Sequence, residues 1–168
     1  MSARRAVFIG MLVGMGLAVA TTAHARDSLG VFEGWGAFRD PDVPRCYAIA
    51  RSSAKGTDGR SQPFASVGYW PRSNVRGQIH IRLSREIPAR SPLTLSIGER
   101  RFPMIGGGTD AWAPNRQGDA AIIAAMRSAT SMSVSARART GAGFADSYRL
   151  RGAASAIDAA ALGCGRLR

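Results

Sequence analysis

The sequence predicts a mainly β protein, an antiparallel β-sandwich or barrel with two short helices. Three observations predict this class. The chain after residue 44 divides into roughly six to eight short segments in which apolar and polar residues alternate, as in half-buried strands. Turns rich in Gly or Pro separate these segments. Helical spacing of apolar residues occurs only twice, which argues against a parallel α/β sheet.

An irregular lead-in is predicted for residues 26–44, followed by the sandwich domain over residues 45–168. One short strand is expected inside the lead-in, around residues 31–38. A turn cluster at residues 40–44 closes it, because its two prolines fix φ and lack an N–H group. The next strands are predicted at residues 46–52 and 64–70, with a loop rich in Gly and Ser at residues 55–63.

The central strands show the clearest alternation. Residues 78–84 predict a strand with one apolar and one polar face. The apolar face carries Ile79, Ile81 and Leu83, and the polar face carries His80 and Arg82. Two hairpins are predicted further on, over residues 93–105 and 132–151. A run of three glycines at residues 106–108 is expected to end the first of them.

Two helices complete the expected fold. Asp119 is expected to be the N-cap of a helix over residues 120–127, because a carboxylate accepts hydrogen bonds from the free N–H groups of a first turn. A second, Ala-rich helix is predicted over residues 153–162, with Gly163 as its C-terminal stop.

The first 25 residues predict a cleavable export signal. Arg4 and Arg5 precede an uncharged apolar run, and the segment ends at Ala25 with a small-residue A-x-A site. The run at residues 6–20 is shorter than the roughly 20 residues that span a bilayer, which argues against a membrane anchor. We therefore expect cleavage after Ala25, and no transmembrane segment in the mature chain.

The two cysteines, Cys46 and Cys164, are expected to form a disulfide, because an even pair in an oxidising compartment is usually bonded. They stand near opposite ends of the mature domain. The alternatives are less favoured, since no histidine lies nearby for a metal site and the C-x-x-C spacing of a redox pair is absent.

The chain is strongly basic, with a formal net charge of +12 and Lys55 as its only lysine. Removal of Arg4 and Arg5 with the signal leaves about +10. This charge indicates either an anionic partner, such as a lipid surface or a polysaccharide, or an Arg-biased solvated surface. The arginines are scattered and are not interleaved with aromatic residues, which together with export argues against a nucleic acid partner.

The sequence argues against catalysis. His80 is the only histidine after residue 25, so a Ser-His-Asp hydrolase would have to use it, and no G-x-S-x-G elbow is present. The three-glycine run lacks the Lys-Ser/Thr of a phosphate-binding loop, and the prolines beside Asp40 and Asp42 do not fit a calcium loop. We expect no catalytic, cofactor or metal site, and a small periplasmic hydrolase is the alternative.

The C-terminal half resembles the invasion-associated locus B family. The segments that carry the resemblance are AWA at 111–113, AIIAAMRS at 121–128, FADSYRLRG at 144–152 and the closing stretch 153–164 with its final Cys. Upstream, CYAIA at 46–50 and IGERRFPM at 97–104 also fit the family. Arg149 stands where the family pattern has Ser. The resemblance covers roughly residues 35–164.

The resemblance implies an exported alphaproteobacterial protein with an immunoglobulin-like β-sandwich. The family is named for a link to host-cell invasion and brings no catalytic residues with it. We therefore expect a non-enzymatic binding protein in the periplasm, with secretion or outer-surface association left open. Its partner would be a protein or an envelope component, bound at an exposed sheet edge or at an apolar-aromatic face near Tyr69 and Trp70.

Overall fold

The computed structural model describes residues 26–53 and 62–165. The predicted signal peptide and most of the predicted loop at 55–63 lie outside the described residues. The described chain forms nine strands, two α-helices and one 3-10 turn. The strands are β1 (Asp27–Phe32), β2 (Trp35–Asp40), β3 (Arg45–Arg51), β4 (Phe64–Trp70), β5 (Val75–Ile87), β6 (Leu93–Ile97), β7 (Arg100–Trp112), β8 (Ser131–Arg137) and β9 (Gly143–Arg149). The helices are α1 (Arg116–Met126) and α2 (Ala153–Gly165), and the 3-10 turn is Pro71–Ser73.

All nine strands join in one antiparallel order, β1-β2-β3-β4-β5-β7-β6-β8-β9. The long strand β7 pairs with β6 through its first residues and with β5 through its last, so it belongs to both halves of the sheet. The first half consists of β1 to β5 and the end of β7, and the second half of β6, β8, β9 and the start of β7. The predicted mainly β, sandwich-like fold with two helices is confirmed.

One hydrophobic core lies between the two halves. Alternate residues of each strand face it, as the period of two requires, including Ile79, Ile81 and Leu83 of β5. Burying each such side chain stabilises the fold by about 1.5–3 kcal/mol. Helix α2 packs against β1 to β4 on this inner side, and α1 packs against β5. The opposite side of the first half therefore faces outward.

The predicted irregular lead-in is wrong, because residues 27–40 form the hairpin β1–β2. The turn of this hairpin places Glu33 at a positive φ of 55°. Trp35 is fully buried, and its indole N–H donates to the carbonyl of Arg149 at 2.8 Å. A long-range contact thus stabilises a segment whose local alternation is weak. The turn predicted at residues 40–44 does lie between β2 and β3.

The three glycines at 106–108 do not end a strand, because β7 runs through them. A Cβ on Gly106 would lie 2.5 Å from the carbonyl oxygen of Asp110, and Gly108 has a φ of 62°. Glycine in a strand allows this close approach and local bending. The glycines therefore mark the place where β7 leaves β6 and joins β5.

The predicted N-cap of the first helix and the predicted stop of the second are both wrong. Asn115 is the N-cap of α1, and its side chain accepts the N–H of Gly118 at 2.8 Å. Asp119 lies in the first turn and accepts the N–H of Ile79 at 2.8 Å. Gly163 does not stop α2, which continues to Gly165. A Cβ on Gly163 would lie 2.5 Å from the Leu29 side chain, so this glycine permits close packing against β1.

The predicted disulfide between Cys46 and Cys164 is present and joins β3 to α2. The two Cα atoms are 5.6 Å apart, and both cysteines are buried. Within the described chain, neither helix has the length and hydropathy that crossing a bilayer requires.

Candidate functional site

Ring side chains collect on the outer side of the first half of the sheet. Because side chains alternate along a strand, each of these rings stands next in sequence to a residue that faces the core. We call this surface the outer aromatic face. It is made by Phe38, Tyr47, Phe64, Trp70, His80 and Trp112.

Strand register brings residues of this face side by side. In one row, Ile49, Ser66, His80 and Trp112 are neighbours across β3, β4, β5 and β7. The adjacent row on one side contains Tyr47, Gly68 and Gln78. The adjacent row on the other side contains Arg51, Phe64, Arg82 and Asp110. Neighbouring strands lie about 4.8 Å apart, so the face spans roughly 19 Å from β2 to β7.

Two rings of the face lie over backbone glycines. The indole of Trp70 covers Gly68, where any Cβ would collide with its ring atoms. The ring of Phe38 covers Gly36 in the same way, and a Cβ there would lie 2.6 Å from it. A Cβ at either position would force the aromatic side chain two residues further on to shift.

His80 is held by three neighbours. Its Nε2 lies 2.8 Å from Oδ1 of Asp110, its ring stacks on Trp112 at 5.3 Å, and it meets the edge of Phe64 at 5.4 Å. Arg82 also donates from Nε to Asp110 at 2.9 Å. Because an ionised carboxylate only accepts, the imidazole Nε2 carries the proton and donates it.

The pKa of Asp110 lies below its ordinary value. Partial burial raises this pKa, but the hydrogen bond from His80 and the charge and hydrogen bond of Arg82 outweigh that effect. Asp110 is therefore ionised at neutral pH. It fixes the orientation of both the imidazole and the guanidinium on this face.

Arginines frame the outer aromatic face. Arg45 pairs with Asp40 at 3.2 Å and lies over the Tyr47 ring at 5.4 Å. Arg26 lines the same depression as Arg45, and Arg51 follows Ile49 on the outward side of β3. Neither Arg26 nor Arg51 forms an ion pair with a carboxylate of residues 26–53 or 62–165. The face therefore carries positive charge that the described residues do not neutralise.

The rings enclose an open depression of about 490 Å³. Its lining combines aromatic, cationic and hydrogen-bonding groups. The lining residues are Arg26, Arg45, Tyr47, Ile49, Phe64, Ser66, Gly68, Trp70, Gln78, His80 and Trp112.

The two residues predicted as an interaction surface point in opposite directions. Trp70 belongs to the outer aromatic face, whereas Tyr69 lies on the core side beside α2. Burial raises the pKa of the Tyr69 hydroxyl. Of the two predicted residues, Trp70 therefore belongs to this face and Tyr69 does not; Trp112, which stands in β7 beyond the three glycines, was not part of the predicted surface. Because Tyr47 follows the buried Cys46 in a strand, alternation could have predicted that Tyr47 points to the outward side.

The geometry around His80 bears on the hydrolase alternative. Ser66 is its cross-strand neighbour, but the Ser66 hydroxyl donates to the His80 carbonyl at 3.4 Å and not to the ring. In the part of the chain that the structure describes, no serine hydroxyl is bonded to the imidazole. The same residues contain no cluster of three or more His, Cys, Asp or Glu side chains suited to a metal ion.

These features define a class of protein: a disulfide-linked antiparallel β-sandwich that presents one aromatic and cationic face. No protein-family model and no curated protein matches the chain. Among solved structures, it is similar to the crystal structure of invasion associated protein B from Bartonella henselae, with a TM-score of 0.57 and 13% sequence identity. The match covers 86% of this chain and 98% of that chain. The likeness shows a shared fold, and it confirms the fold that the sequence resemblance implied.

Proposed function

We propose that this chain is an exported, non-enzymatic binding protein of the periplasm that uses the outer aromatic face to contact a protein or another envelope component. One observation carries the proposal: six ring side chains lie on the outward side of the first half of the sheet, and five of them line one depression. Folding alone does not require this, since the core lies on the other side.

The composition of the face supports a binding role. Interaction surfaces are enriched in Trp, Tyr and Arg, and residues of these types dominate binding energy. Trp112 is 36% exposed although it is a large apolar residue. His80 and Asp110 hold each other in place through their hydrogen bond, which gives the face a fixed geometry before a partner arrives.

Export is supported by the order of charge, apolar run and A-x-A site at residues 1–25, and by a disulfide that suits an oxidising compartment. The solved structure with the same fold is named as invasion associated. By analogy, contact with a host cell is a second candidate role, which would require the protein to leave the periplasm.

The experiment for export is cell fractionation combined with N-terminal sequencing. We expect a processed chain that begins at Arg26, appears in the periplasmic fraction and migrates differently with and without reductant. An unprocessed chain in the inner-membrane fraction would contradict the proposal.

The experiment for binding compares two variants in envelope cross-linking. The double variant Trp70→Ala/Trp112→Ala removes two rings of the face, and Phe144→Ala removes a half-buried ring from β9 as a matched control. We expect the double variant to lose the cross-linked species of the native protein and the control to keep them. Identical cross-linking by all three proteins would rule out this face as the binding surface.

The non-enzymatic part of the proposal is tested with His80→Ala. The alternative hydrolase would need this imidazole as its base, so the variant would lose any hydrolytic activity that the native protein shows. We expect the native protein and the variant to be equally inactive in ester, peptide and glycoside assays. Activity that disappears with His80 would establish the enzyme instead.

A further inference from the structure

We propose that the outer aromatic face binds a linear polysaccharide that carries carboxylate groups and belongs to the cell's own envelope. This inference rests on the proposed function, because it names the partner chemistry for the same face. Three properties of the face lead to it: its aromatic rings, the polar groups between them and the positions of its arginines.

The aromatic rings of the face favour a sugar chain as its partner. Trp70 and Phe38 lie over glycines on the outward side of the sheet. The apolar side of a pyranose ring presents C–H groups, whose partial positive charge suits the negative face of an aromatic ring.

The apolar part of the face is mainly aromatic. The exposed large apolar side chains of the described residues are Val31, Val43, Ile105, Trp112 and Leu162. Of these, Trp112 belongs to the face and Val31 lies on the same side at the edge strand; the partly exposed Ile49 is the aliphatic residue that lines the depression. A surface that inserts into lipid needs a broad aliphatic area, which this face does not offer.

Polar groups lie between the rings at the level where sugar hydroxyls would stand. The Gln78 side chain lies in the row of Tyr47 and makes no hydrogen bond to residues 26–53 or 62–165. An amide both donates and accepts hydrogen bonds, so Gln78 can bond to a sugar hydroxyl that acts as a donor or as an acceptor. Ser66 lies in the adjacent row, next to His80.

The charge preference comes from arginines, of which Arg26 and Arg51 form no ion pair within residues 26–53 and 62–165. Arg51 is the last residue of β3 and Arg45 is the first. Arg45 lines the depression together with Arg26, which precedes β1. Six residue steps along a strand span roughly 20 Å, so positive charge stands at both ends of the row of rings. Guanidinium groups bind carboxylates bidentately, which suits an extended acidic chain that runs along β3.

The first experiment measures binding of the purified, oxidised protein to polygalacturonate, with neutral dextran as the matched uncharged polymer. We expect binding to polygalacturonate that weakens with salt, and no binding to dextran. Trp70→Ala should bind about three- to tenfold more weakly, as the loss of one stacking contact implies. Arg51→Gln should weaken binding and also reduce its salt dependence.

Two controls match these variants in chemistry but lie away from the face. Phe144→Ala removes a ring from β9, and Arg101→Gln removes one charge from the outward side of β7 in the second half. Both should bind like the native protein. All variants are compared by thermal unfolding, so that only folded proteins enter the comparison.

The second experiment identifies the source with cell-wall sacculi isolated from the producing cells, before and after their carboxylates are converted to amides. We expect co-sedimentation with native sacculi and loss of binding after amidation. Equal binding to dextran, equal binding to amidated sacculi, or no binding to any glycan overturns the inference. If glycans fail but Trp70→Ala/Trp112→Ala still loses cross-linked envelope proteins, the proposed function survives; if both fail, both are wrong.

Discussion

At the scale of single residues, two buried carboxylates complete the hydrogen bonding of β5. Asp119 accepts the N–H of Ile79 and Asp146 accepts the N–H of Ser84, each at 2.8 Å. The pairing of β5 with β7 begins at His80 and is irregular between Arg82 and Ile87, so these two N–H groups lie where the ladder is incomplete. A buried N–H without a partner is costly, and the carboxylates remove that cost.

Replacement of Asp119 by Ala should lower the free energy of unfolding by about 1–3 kcal/mol, because the buried Ile79 N–H loses its acceptor. Asp119→Asn keeps an oxygen acceptor and should lose less. Urea unfolding measures both variants. Equal stability of Asp119→Ala and the native protein would contradict this role.

The Asp110 carboxylate should make stability depend on acid pH. Its pKa is lowered in the folded state from the ordinary value of 3.8, so the ionised form stabilises the fold above that pH. The contribution disappears as the pH falls through the lowered folded-state pKa.

Asp110→Asn should therefore melt at a lower temperature than the native protein at pH 7, and the difference should shrink toward about pH 3. Thermal unfolding followed over this pH range tests the expectation. A difference that is the same at every pH would show that the charge of Asp110 plays no part.

At the scale of elements, the turn between β9 and α2 meets the β1–β2 hairpin at Gly152. This glycine has a φ of 84°, and a Cβ on it would collide with the carbonyl oxygen of Phe32. Neither the positive φ nor the close approach is open to another residue without strain. The hairpin is therefore held by contacts with the far end of the chain, including the Trp35 bond to Arg149.

Gly152→Ala should destabilise the protein by at least about 2 kcal/mol, the sum of a positive-φ penalty and a backbone clash. Gly34→Ala is the matched control, because no heavy atom lies near its Cβ position and its φ is not positive. Thermal unfolding should leave Gly34→Ala close to the native protein. Equal melting of both variants would argue against the close contact at Phe32.

At the scale of the whole molecule, the disulfide closes nearly the entire domain, since 118 positions separate Cys46 from Cys164. In the chain-entropy model, a loop of this size stabilises the folded state by about 4–5 kcal/mol. The bond also fixes α2 to the inner side of β3, where it covers the core.

Cys46→Ser/Cys164→Ser should therefore unfold at a much lower urea concentration, with a loss of up to about 4–5 kcal/mol. The native protein in reductant should approach the same midpoint, which controls for the two serines. A midpoint that changes neither with substitution nor with reductant would show that the bond adds no stability.

The local sequence was sufficient for β3, β4 and β6, whose bounds match the expected strands closely, because side-chain direction along a strand depends only on the adjacent backbone. The disulfide pairing followed from counting, since two cysteines allow one partner each. The hairpin β1–β2, the role of Asp119 and the passage of β7 through its glycines could not be predicted in this way. Each depends on contacts with residues distant in sequence.

The outer aromatic face shows most clearly the difference between what local sequence predicts and what long-range contacts determine. Alternation alone placed His80 on the polar side of its strand, and it did so correctly. Only the tertiary structure decided that Phe38, Trp70 and Trp112 share that side, because strand order and register determine which side chains become neighbours. Register is set by burial of the opposite face, a cooperative property of the whole sheet that no short segment contains.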